Sequence, residues 1–225
     1  MSTVLPPVAL TAALMAASHA AAGLTLGLFF GALAVITLLS PPLVLAETNW
    51  RCRALAGGAI LAAVGLYLLV PVMHGVVGFR GWFACLVVLA AYAAALAGLS
   101  MTLERAGLHP ILAGATVIVA ALLWLAWPVW LAPWLTGPHR ESLVAWLVPV
   151  HPPLVLNGVL LPWLPVPWTQ HPLAYVLTNL GDDIPYRMPA GALPGFAFYT
   201  SISLITWTIA LVPRPDRWPE GPHGD

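Results

Sequence analysis

The chain contains no lysine, and its 225 residues carry only eight arginines and eight carboxylates. That is 7% charged residues, against about 25% in an ordinary soluble domain. Charge this sparse cannot cover a soluble surface, so a soluble globular protein is excluded. The formal net charge is zero and no basic stripe occurs, which argues against nucleic acid as a partner. No polybasic cluster flanks an apolar run either, so strong recognition of anionic lipid head groups is not indicated.

Cysteine is scarce as well. Cys52 and Cys85 lack metal-ligand spacing and form no disulfide framework, so both read as ordinary small side chains. HExxH is absent, as is any histidine pair at i, i+4. No Asp, Glu or Arg falls in the middle of an apolar run. Ion-coupled carriers place such a group at membrane depth, where the transported charge is bound and released, and its absence argues against one. No internal repeat is visible, so an inverted-repeat transporter is not supported.

What the chain has in abundance is apolar sequence: 60% of its residues are hydrophobic and its mean hydropathy is +0.91. A helix needs roughly 20 apolar residues to cross the hydrocarbon of a bilayer. Suitable runs occupy 8–39, 55–77, 82–103, 111–135, 143–161 and 196–212. The first is long for one span and short for two; it reads as one long element ending at Ser40-Pro41-Pro42. The fifth is interrupted by Pro149, Pro152 and Pro153, which break a helix by removing N–H donors. The predicted fold is therefore an all-α, polytopic transmembrane helical bundle of about six spans, with seven as the alternative. Residues 1–212 form one transmembrane domain, and the start of the chain reads as mature protein because a basic n-region is missing. The Pro-rich, charged tail 213–225 reads as disordered. Arginines divide evenly between alternate loops, so the positive-inside rule assigns no orientation.

Between the fifth and sixth runs lies a long Pro/Trp-rich interfacial loop, 162–194, too polar to span. Within it 171–180 is predicted to form a short helix, because Pro172 suits a first helical position.

Two small-residue stripes suit close helix packing: Gly23, Gly27 and Gly31 on the first run, and Ala90, Ala94 and Gly98 on the third. Trp127, Trp130 and Trp134 recur at helical spacing and are expected to form one aromatic stripe, as in an interfacial belt or a stacking surface.

Candidate chemistry rests with histidine. An imidazole in lipid must be hydrogen-bonded or act as a ligand. His19 and His74 lie within or near the end of apolar runs, and are candidate axial ligands of a haem or pigment. His151, His171, Asp182 and Asp183, with His139 nearby, form a candidate transition-metal set. Against each stands the plainer reading of a histidine bonded to a neighbouring helix or bracing a loop. Asp182-Asp183 lacks the further carboxylates a magnesium–diphosphate site requires.

The expected function is a non-catalytic integral-membrane subunit of a larger membrane complex, respiratory or photosynthetic in type. Its partners would be lipids and other membrane subunits. The alternatives are a metal- or haem-dependent redox subunit and a small permease or channel. The all-arginine basic set, with abundant Ala, Pro, Gly and Trp, points to a GC-rich bacterial genome and hence a bacterial inner membrane.

Overall fold

The structure, a computed structural model, describes residues 25–135, 140–164, 168, 177–178 and 186–212. Of these, 81% are helical and none lies in a strand. Helix α1 (Thr25–Ala46) runs straight through Pro41 and Pro42, past the end expected from the sequence. These prolines cost the helix two N–H donors, a loss tolerated where neighbouring helices and side chains satisfy the freed carbonyls. Helix α2 (Trp50–Tyr67) is capped by Asn49, whose side chain accepts from the Arg51 N–H at 2.9 Å. After a brief break it continues as α3 (Val70–Met73), and Gly75, at φ 68°, turns the chain. Helix α4 (Phe79–Arg105) has 27 residues and is about 40 Å long at 1.5 Å per residue.

Gly107, at φ 104°, makes the turn into α5 (Pro110–Leu125). The fourth apolar run does not stay one helix. It breaks at Ala126 and Leu131 into α6 (Trp127–Trp130) and α7 (Ala132–Leu135), because Pro128 and Pro133 each lack the N–H donor and their rings crowd the carbonyl one turn back. The fifth run also breaks where its prolines predicted. Helix α8 (Glu141–Leu147) passes through a 3₁₀ turn (Val148–Val150) to an extended His151 and then α9 (Pro152–Leu160), with a bend of 75°. Helix α10 (Leu193–Leu211) closes the described chain.

Four elements are long and apolar enough to cross a bilayer: α1, α2 with α3, α4 and α10. Counting the bent α8–α9 pair as one gives five. The expected six required an unbroken fourth run, whereas α5 alone has only 16 residues. The 171–180 helix and the tail 213–225 lie outside the described residues, apart from Leu177 and Thr178.

Helix α4 is the hub, packing against α1, α2, α5, α9 and α10. Its small-residue face meets α10, its most extensive neighbour, as the sequence stripe predicted. A Cβ on Gly98 would collide with Thr206 Oγ1 and sit 2.9 Å from Trp207 Cδ1. The Trp207 indole N–H donates to the Ala94 carbonyl at 3.0 Å, and Thr102 Oγ1 donates to the Thr206 carbonyl at 3.0 Å. Of the other stripe, Gly27 on α1 is exposed and Gly31 half-buried, while Gly23 lies outside the described residues. At one end of the bundle Arg53 pairs with both carboxylate oxygens of Glu104, at 2.9 and 3.2 Å. Beside it Arg105 donates to the Ala210 carbonyl at 2.8 Å.

Candidate functional site

Thr37, Tyr92, His151 and Tyr199 bring polar groups of the interior together in one layer, whose depth follows from helix geometry. Tyr92 is thirteen residues from either end of α4, about 20 Å at 1.5 Å per residue. Leu125 is fifteen residues into α5, which starts from the same end as α4 finishes, and so lies about 22 Å deep by the same measure. Both are near the middle of the bundle, where an unpaired polar atom has no solvent to bond.

His151 sits in this layer because the prolines around it stop the helix there. It is fully buried, and its Nε2 lies 3.1 Å from the Leu125 carbonyl. Three indoles surround the imidazole, with ring centroids at 5.4 Å for Trp127, 6.0 Å for Trp124 and 6.4 Å for Trp168. Tyr199 on α10 ties the surroundings together. Its hydroxyl donates to the Val150 carbonyl at 2.7 Å and accepts from the Trp124 indole N–H at 2.8 Å. Its ring meets that of Tyr92 edge-on at 5.1 Å, and the Tyr92 hydroxyl hydrogen-bonds Thr37 Oγ1 at 3.2 Å. Thr37 in turn donates to the Leu33 carbonyl at 2.8 Å. Below His151 on α9, Asn157 Oδ1 accepts the backbone N–H of Trp168. Thr178 donates to the Pro128 carbonyl at 2.8 Å, so two parts of the polar loop are anchored on this layer.

Against the far side of Trp124 and Tyr199 lies a cleft of about 290 Å³ between α4, α5 and α10. Leu96, Leu103, Val117 and Ile202 contribute to its almost wholly apolar lining. Of its polar neighbours, the Trp124 and Tyr199 heads are bonded to one another and Tyr92 to Thr37, and Thr116 adds a hydroxyl.

Of the candidate site residues, the structure describes His74 and His151. His74 is exposed at the end of α3; its suggested partner His19 lies outside the described residues. His151 is the most buried polar centre of the layer, while His139, His171, Asp182 and Asp183 lie outside the described residues. Among the described residues no group of three or more His, Cys, Asp or Glu could hold a metal ion. The expected tryptophan stripe is also not one face. The breaks at Ala126 and Leu131 bury Trp127 and leave Trp130 and Trp134 exposed at 50% and 70%. Sequence reasoning missed Thr37, Tyr92, Asn157 and Tyr199. Their signal was a hydrogen-bonding side chain within an apolar run, which membrane burial makes expensive unless it is paired.

Comparison of the chain with protein-family models, curated proteins and solved structures finds no match.

Proposed function

We propose that the chain is a non-catalytic integral-membrane subunit of a larger bacterial membrane complex, contributing helix packing and tryptophan-bearing surfaces to neighbouring subunits. The observation that carries this reading is the unevenness of span burial. In α1 and α4, 61% of the apolar window is buried, against 33% for α2–α3 and 17% for α10. Helix α10 is thus gripped along one seam by α4 and leaves most of its apolar surface facing outward, with Leu204 and Ile205 exposed at 65% and 60%. Trp146, on α8, is 79% exposed on an apolar helix. Helix association in lipid depends on close packing and on satisfied polar groups. The interior polar groups support the same reading, since most of them bond to backbone carbonyls or to one another, as groups that brace a scaffold do.

The test is solubilisation from the native membrane in a mild detergent, after photo-crosslinking from single positions replacing Leu204 and Trp146. The expected result is a defined partner chain, crosslinked from at least one position and co-purifying with the protein. A stable monomer crosslinked only to lipid overturns the proposal.

A further inference from the structure

Three buried side-chain polar atoms have no hydrogen-bond partner among the described residues: His151 Nδ1, Trp127 Nε1 and Asn157 Nδ2. They share one neighbourhood. The His151 and Trp127 rings are in contact, and Trp168, beside His151, is bonded through its backbone to Asn157. Buried polar atoms are paired as a rule, with protein or with ordered water, so the two orphans on touching rings, His151 Nδ1 and Trp127 Nε1, call for a common partner.

Their chemistry narrows its identity. A carbonyl only accepts, so His151 Nε2, facing Leu125 O at 3.1 Å, carries the ring proton. A neutral imidazole then leaves Nδ1 as a bare acceptor. Trp127 Nε1–H is only a donor. Asn157 uses its oxygen for the Trp168 N–H, which makes its free end the NH₂ donor. The layer therefore offers one acceptor and two donors. The missing partner must give one hydrogen bond and receive others, which is what a hydroxyl oxygen does. The guest must also be small. Ring centroids 5.4 to 6.4 Å apart are those of aromatic groups in direct contact, with no space for a cofactor or lipid chain. Buried waters typically make about three hydrogen bonds to such groups.

We propose that this layer is a binding site for a single ordered water, which donates to His151 Nδ1 and accepts from Trp127 Nε1–H, the two orphans whose rings are in contact. The neighbouring cleft does not hold it, since none of the three orphaned atoms belongs to a residue of its lining. The site stands independently of the subunit reading: it rests on the donor and acceptor count at the broken span.

The experiment is solid-state NMR on the full chain, labelled with ¹⁵N-histidine, in bilayers of defined synthetic lipid. The His151 resonances are assigned by their loss in His151→Phe. The expected spectrum shows a neutral ring with its proton on Nε2, and magnetisation passing from water protons to Nδ1. In Trp127→Phe that transfer should fall several-fold. Three results overturn the proposal: a proton resident on Nδ1, an Nδ1 bonded directly to the Trp127 indole N–H with no transfer from water, or transfer unchanged in Trp127→Phe. Once His151 is assigned, the spectrum of the unsubstituted protein tests the first two without the Trp127 variant.

Discussion

The seam between α4 and α10 and the layer around His151 lie in the same molecule but hold helices together by opposite means. At the seam the side chains are reduced to Ala94 and Gly98, the backbones come close, and the polar groups donate to carbonyls across the contact. Around His151 the side chains are the largest available, the helices are broken, and three buried polar atoms are left without a protein partner. Lipid is as apolar as leucine, so neither contact gains much from hiding hydrocarbon. The seam gains by fit and the layer by bulk. A contact of the first kind tolerates no added atom, whereas one of the second tolerates no removed ring.

That difference sets the expected effects of substitution. Trp127→Ala should cost the most, about 3–5 kcal/mol, because it opens a cavity beside an imidazole that cannot collapse into it. Steric trapping or detergent titration of unfolding would measure it, and a loss below about 1 kcal/mol would show that the indole does not fill the layer. Gly98→Leu should follow, at about 3 kcal/mol, since overpacked sites relieve strain by shifting backbone. Gly98→Leu leaving stability unchanged would mean that the seam is not built on fit. Tyr199→Phe, which removes a donor to Val150 O and an acceptor for Trp124, should cost about 1–2 kcal/mol, near the top of the range for hydrogen bonds in membranes. Thr37→Val should cost about 0.6 kcal/mol, the average for such bonds, because the Thr37 hydroxyl shares its work with the helix carbonyl of Leu33. Arg53→Gln should be smallest, at about 0.5 kcal/mol and diminishing with added salt, since the pair with Glu104 lies at one end of the bundle with its side chains 12% and 28% exposed. If Arg53→Gln exceeded Tyr199→Phe in the same assay, the interior network would not be the stabilising element claimed here.

Much of the seam was legible beforehand. Ala90, Ala94 and Gly98 are four apart on one helix, and that spacing alone announces a close neighbour. It does not say which neighbour, and on the equally regular glycine stripe of α1 Gly27 is exposed and Gly31 half-buried. The break at His151 was legible too, since Pro149, Pro152 and Pro153 remove three donors within five residues. The fourth run was misjudged because hydropathy registers how apolar a segment is and not whether it stays straight. Pro128 and Pro133 divided it and scattered a tryptophan stripe that only an unbroken helix would align. The partners of Gly81 and Gly158 could not have been foreseen. Gly81 lies against the Trp163 ring and Gly158 against the Pro189 carbonyl, contacts between distant parts of the chain that no local pattern encodes. The four missed polar residues differ from lipid-facing ones by single hydroxyl or amide groups, which a window average removes.

Helix α9 has a consequence for how the protein comes to be in the membrane at all. All nine of its residues, Pro152 to Leu160, are buried, and it lies against α1 and α4. Nine residues cover about 14 Å at 1.5 Å per residue, less than half the hydrocarbon thickness of about 30 Å. Straightened with α8 it would be long and apolar enough to cross, but in the 75° bend α9 alone enters the bundle. That bend is held by burial against α1 and α4, and so forms once those spans are in place. Membrane insertion and folding are therefore not successive stages for this chain: in pulse-labelling during synthesis, a single cysteine placed in α9 should stay open to a water-soluble reagent until α1 and α4 have met, and then close.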